Sequence, residues 1–340
     1  MGETDQTRRT FLKAAGGVAA TAAGGAAVVQ TTSAATASSW SEVSSPVSKT
    51  LYGVSDTVNG HVAVGKAGNI LHRRNGSWQL VYNSGPATRS NSMRTCAVTD
   101  DGKRVWFAGS SGAMGTYDVN TGVKTNYSYP KEKTSTWEAI TVTGNANSET
   151  VYVANGSGEI LKGSMDSDGC MQWGNVMKPG SGSNIPAIDF REANVKVGHA
   201  CDTSGNAFET KDAGGTWSDI GVPNAQVAFY DLISFATGDG TKHVYITAGG
   251  GKVYRLDCDC NRWTPIDLGN ADLRSIDRKD TGDKFVVGSG GTAYHKAPSS
   301  DWEPVKMPVS DTLNEMSYGA HFGNDTPDVV VGNNGTILER

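Results

Sequence analysis

Val64-Gly65-Lys66-Ala67-Gly68-Asn69-Ile70-Leu71, early in the chain, returns as Val331-Gly332-Asn333-Asn334-Gly335-Thr336-Ile337-Leu338 at its end. Degenerate copies lie between the two. The glycine that closes the second apolar run of each copy falls at Gly65, Gly109, Gly198, Gly288 and Gly332, with Ala154 and Gly249 filling the same place elsewhere. These positions step by 44, 45, 44, 51, 39 and 44 residues. A self-similar period in the forties matches one four-stranded blade, and it outranks any local preference.

The third run of each copy obeys a finer rule: a glycine, one polar or small residue, two mostly apolar residues, then a polar one. Gly158-Glu159-Ile160-Leu161-Lys162 and Gly251-Lys252-Val253-Tyr254-Arg255 are examples, and only Gly112-Ala113-Met114-Gly115-Thr116 is loose. Runs this short, bounded by Gly, Asn and Asp and rich in Val, Ile and Tyr, read as strands. Paired apolar positions suit strands covered on both faces, as in stacked blades. A fourth run opens with tryptophan in six copies, at Trp40, Trp78, Trp173, Trp217, Trp263 and Trp302. At so regular a register these are packing residues between blades rather than ligand platforms.

The last copy stops after its third strand, at Arg340, while Trp40-Ser41-Glu42-Val43 stands alone before the first full copy. An open ring would leave two unpaired sheet edges, which invite association. The spacing therefore predicts an all-β, single seven-bladed β-propeller over residues 38–340, its last blade closed by Trp40–Val43. That is about 43 residues per blade. Glycine at 43 of 340 residues supplies turns, and 37% hydrophobic content argues against disorder.

Residues 1–37 read as a leader. Thr7-Arg8-Arg9-Thr10-Phe11-Leu12-Lys13 precedes an Ala/Gly-rich stretch to Val29 and resembles the twin-arginine export signal. The stretch Ala14–Val29 is too short and glycine-rich for a membrane span. Ala35-Thr36-Ala37 offers a small-x-small cleavage site. The resemblance implies export in the folded state, to a periplasmic, cell-surface or extracellular location. The remaining chain has a net charge of −6, since the leader carries three basic and two acidic residues. Such mild acidity gives no support for nucleic-acid or anionic-membrane partners. Of Cys96, Cys170, Cys201, Cys258 and Cys260, at least one stays unpaired within a monomer. Cys258-Asp259-Cys260 has no partner pair at zinc-like spacing, so neither metal nor cofactor is expected.

Thr210-Lys211-Asp212-Ala213-Gly214-Gly215-Thr216-Trp217 looks like an Asp-box, with Asp212, Gly214 and Trp217 in structural roles at the turn between third and fourth strands. Elsewhere the box is eroded, as in Asn75-Gly76-Ser77-Trp78. With the repeated Val-Gly phrase, this resembles the photosystem II assembly factor-like propellers and the wider BNR/Asp-box repeat proteins. The resemblance covers residues 38–340 and is specific for fold. It implies a non-catalytic, monomeric scaffold that binds another protein or a cell-envelope component.

The alternative that the resemblance leaves open is a sialidase- or glycosidase-type enzyme or glycan-binding protein. The first blade lacks the Arg-Ile-Pro-type motif of sialidases. Asp231 and Glu315 on innermost strands are the carboxylates that a hydrolase would need. His72 and His295 share a polar, solvent-facing register at the end of third strands. For a binding role, loops on the face entering the innermost strands are the place to look. They bring forward Arg89, Arg94, Trp137, Tyr230, Asp231, Arg274 and Glu315 as binding candidates, and no catalytic residue is assigned.

Overall fold

The computed structural model describes residues 39–340 except 193, 223, 238–239 and 258–261. The leader and the Cys258–Cys260 pair therefore lie outside the described residues. Seven four-stranded antiparallel sheets follow one another as blades, each with its first strand innermost. The innermost strands are Leu51–Ser55, Met93–Val98, Trp137–Thr143, Ala187–Phe190, Phe229–Ala236, Leu273–Arg278 and Leu313–Ser317. The seventh blade takes its outer strand from Ser41–Glu42, paired as Ser41 with Glu339 and Glu42 with Leu338. The ring closes as the repeat predicts.

Blades pack face to face through seven apolar clusters, one per neighbouring pair. The recurrent tryptophans sit in them, each on the side of the preceding blade. Trp40 packs on Phe285 with ring centroids 5.3 Å apart, and Trp217 meets Phe190 edge-on at 6.2 Å. Burying both faces of a sheet explains the doubled apolar positions along each strand.

Three closing positions read from the sequence need correction. The residue that faces the start of the inner strand is Asn155 in blade 3 and Ala248 in blade 5, not Ala154 and Gly249. In blade 4, Gly198 begins the second strand, opposite Phe190. Asp202 holds the closing place, because its N–H reaches the carbonyl four residues on (Asn206), as Gly109, Asn155, Gly288 and Gly332 do. The true positions step by 40–47 residues, a tighter period than the glycines alone suggest.

The glycine before each third strand has a tertiary cause. It adopts positive φ, from 70° to 83°, at Gly68, Gly112, Gly158, Gly205, Gly251, Gly291 and Gly335. A Cβ there would approach the loop that leads to the next blade, at 2.1 Å from the Lys133 carbonyl oxygen for Gly112 and 2.0 Å from that of Val47 for Gly335. Gly112 meets this condition like the others, although its surroundings look loose in sequence.

Candidate functional site

Six innermost strands share a device at the end where the chain enters them. Each opens with a fully buried anchor: Leu51, Met93, Trp137, Phe229, Leu273 or Leu313. The pairing register then slips by one residue, leaving Tyr52, Arg94, Glu138, Tyr230, Arg274 and Asn314 bulged out of their ladders. In blade 4 the buried Ile185 is followed by Pro186, and pairing starts at Ala187. A bulge re-aims its side chain. Here it takes six polar or aromatic side chains out of the ladder pattern, all at the end where the chain enters the innermost strands.

Two arginine–tyrosine couples result. The Arg94 guanidinium lies 4.6 Å from the Tyr52 ring centre, across blades 1 and 2. That of Arg274 lies 4.1 Å from Tyr230, across blades 5 and 6. Asp272 pins the second couple, accepting from Tyr230 Oη at 3.1 Å and from Arg274 at 3.0 Å. Arg94 and Arg89 are exposed. Trp137, by contrast, is 0% exposed and packs between blades 2 and 3, so it has no surface to offer a partner. Its place is that of an anchor, which carries it inward while the bulged Glu138 faces out.

Asp231 and Glu315 lie one residue past the bulge, inside the channel that the inner strands surround. Asp231 Oδ2 accepts the Ile276 N–H of the next blade at 2.8 Å, and Oδ1 accepts from Leu232. Asp189 does the same to Ser234 (2.7 Å), Asp277 to Tyr318 (2.8 Å), and the hydroxyls of Ser275 and Ser317 to Met316 and Asp56. An innermost strand is a sheet edge with unpaired donors, and buried donors need acceptors. These side chains staple each inner strand from blade 4 to blade 1 onto its neighbour.

Collecting carboxylates in a narrow space has an electrostatic cost. Burial pushes Asp189 and Asp231 up to about 7, and the charges of Asp189 and Asp277 add to the effect on Asp231. Glu315 rises well above the usual carboxylate range through burial and the neighbouring Asp231. Groups raised in this way bind protons in the folded state that the unfolded chain has released, so their contribution to stability falls as pH rises from about 4 through 7. Glu315→Gln keeps an acceptor for the Ser275 hydroxyl, which stands 2.5 Å from Oε1. The variant should gain on the order of 1–2 kcal/mol over wild type at pH 8, with the gain vanishing near pH 4. Thermal melts across pH 4–8 decide it; a gain that grows toward acid would contradict the assignment.

A serine, a histidine and a glutamate also meet in blades 4 and 5, unannounced by any local motif. His199 Nδ1 is 2.8 Å from Ser234 Oγ, and Nε2 is 3.5 Å from Glu209. Ser234 is 3% exposed and His199 1%, which leaves no surface for an acyl group. The line is an inter-blade polar contact. Among the described residues, no three His, Cys, Asp or Glu side chains form a metal-holding group. Of the described cysteines, Cys201 is buried, Cys96 half-buried and Cys170 exposed, all three as free thiols.

At the opposite end of blade 4, Asp212 accepts from the Thr216 N–H and hydroxyl at 2.8 Å each, which holds its carboxyl below the usual range. Gly214 turns at φ +80°. The corresponding turns of blades 2 and 3 are held by Asp118 and Asp166, which sequence reading missed because no Gly-x-Thr-Trp follows them. His72 is another correction: it is fully buried and bonded to Tyr117 and the Asn59 carbonyl, not solvent-facing. Burial lowers it to about 4. His295 is half-buried against Asp283 at 3.1 Å.

No family model matches the chain, and no curated protein matches it. Similar solved structures exist. One is YCF48 bound to D1 peptide, at 15% identity and a TM-score of 0.66, covering 89% of this chain and 94% of that one. Another is YCF48 from Cyanidioschyzon merolae, again at 15% and 0.66, covering 89% and 98%. The WD40 β-propeller domain of Doa1 is 10% identical with a TM-score of 0.66, covering 88% and 94%. At such identities the likeness is one of fold, and it agrees with the seven four-stranded blades: the chain is a seven-bladed β-propeller.

Proposed function

We propose that this propeller is an exported, non-catalytic scaffold that captures a protein partner on the channel mouth. The observation that carries the reading is the pair of arginine–tyrosine couples raised on bulges from a rigid ring. Arginine and aromatic side chains are the usual anchors of protein interfaces. A rigid frame limits the ordering cost of binding. The likeness in fold to YCF48, solved with a D1 peptide, supports protein or peptide binding as the kind of function, and its particular partner is not carried over. The Asp-box-like turn at Thr210–Trp217 supports kinship with Asp-box repeat propellers. The Arg8-Arg9 leader supports the twin-arginine route to the cell envelope.

The inner carboxylates support a structural rather than hydrolytic role, since Asp231 spends both oxygens on backbone N–H groups. Arg94→Ala with Arg274→Ala should cut capture of the partner from envelope fractions at least tenfold, with the melting temperature shifted by no more than about two degrees. Undiminished capture would remove the mouth as the site. Hydrolysis of glycoside substrates, abolished by Asp231→Asn, would replace the scaffold reading with the enzyme one.

A further inference from the structure

The turn between first and second strands spans five to seven residues in six blades, but eleven in blade 7, from Tyr318 to Asp328. This long segment does not stay over its own blade. It crosses the turn of blade 1, where the Asn324 side-chain amide donates to the Thr57 carbonyl at 2.7 Å. It ends its reach on blade 2, with the Phe322 ring against Gly102, where an added Cβ would come within 2.7 Å of the ring. The strap thus bridges the junction at which the last blade meets the first.

Asp56 is the node that holds it. Its carboxylate accepts the His321 N–H and the Thr326 hydroxyl, each at 3.1 Å, and its own N–H donates to Ser317 Oγ at 3.1 Å. Behind Asp56 lies His61, 0% exposed, with Nδ1 3.7 Å from Asp56 Oδ1. Neither imidazole nitrogen makes a well-formed hydrogen bond, the Tyr318 backbone of the strap being a weak partner. Buried polar groups left so are rare and call for an explanation.

We infer that residues 318–328 are a pH-sensitive strap over the ring junction, which lifts when the imidazole of His61 takes a proton and must be hydrated. With the strap down, burial holds His61 far below its ordinary 6.5, at about 3, and the charges of Arg73 and His321 add to this. Asp328 and the Tyr318 backbone oppose it weakly. Arg73 is itself neutralised by Glu339 at 2.8 Å, and Asp328 by Lys279 and Arg340. A lifted strap returns His61 to water, so the closed form has full weight above pH 6.5 and loses it as pH falls toward 3. Asp56 works against opening. Its carboxyl is raised by burial, so the closed form also gains from protonation of Asp56 at lower pH. The net release therefore sets in just below pH 6.5 and is opposed by Asp56 at lower pH.

The test is hydrogen exchange of the intact protein, followed at the strap amides of Gly319, Ala320 and His321, with Ala200 and Cys201 of blade 4 as internal controls. Between pH 8 and pH 5.5 the strap's protection factors should fall about tenfold while those of blade 4 hold. His61→Gln should flatten the response. If that variant does not fold, the imidazole signals of the wild type serve instead, and one histidine should titrate together with strap exchange. Strap protection that is independent of pH, or a fall shared equally by blade 4, would overturn the proposal.

Discussion

Deleting residues 39–47 is expected to lower the melting temperature of the whole ring by about 10 °C, not to fray one end of it. The segment supplies the outer strand of blade 7, with the Val43 N–H donating to the Ile337 carbonyl at 3.0 Å beyond the paired residues. Trp40, 6% exposed, fills the space between blades 6 and 7, and the Arg340 guanidinium lies 5.0 Å from its ring centre. Loss of a buried tryptophan alone costs about 3–5 kcal/mol. For a domain larger than 150 residues each kcal/mol moves the midpoint by about 2–4 °C. The deletion also leaves Ile337–Glu339 as an exposed edge, so concentration-dependent association should appear. Calorimetry on the truncated chain and on Trp40→Ala separates the two causes, with Trp40→Ala carrying most of the melting loss. A truncated chain that melts like its parent would refute closure by the N-terminal strand.

The second large effect is expected at a pair of adjacent glycines. Gly250 and Gly251 both have positive φ, +63° and +71°. Around Gly250 an added Cβ meets nothing within 4 Å, whereas at Gly251 it would stand 2.2 Å from the Gly269 carbonyl oxygen and 2.3 Å from its carbon. Left-handed backbone costs an alanine about 1–2 kcal/mol. Gly250→Ala should lose about that much. Gly251→Ala should lose at least about 2 kcal/mol more, because the loop into blade 6 must move. Denaturant titration of the two variants gives the difference, and equal losses would mean that backbone conformation alone selects glycine here.

These glycines mark where sequence reading works and where it stops. Their recurrence was legible, and so was the ring, since a period in the forties has few structural solutions. Their cause was not, because the atom that excludes a side chain at Gly335 belongs to Val47, at the other end of the chain. The same holds for the staples. Asp189, Asp231 and Asp277 recur about one blade apart, a spacing open to view, yet each acceptor is defined by a donor on the following blade. Trp137 shows the converse error. As an aromatic at a loop–strand junction it has the composition of an interface anchor, and only the register slip after it decides that the tryptophan points inward and Glu138 outward. The closing place in blade 4 was misread for a related reason: a glycine was followed where a turn hydrogen bond from Asp202 was the constant feature.

By itself the sequence determined the all-β class, the number of blades and the strand that closes them, because periodicity and strand chemistry are local properties written along the chain. Tertiary structure alone decided which side chains leave the ladder pattern at the strand entries and which acids become staples. It also decided that a segment without any motif, residues 318–328, reaches across three blades. Those outcomes depend on register slips and on contacts between residues as far apart as Asp56 and Thr326. No periodicity carries that information: it arises only when the ring has closed and brought its two ends together.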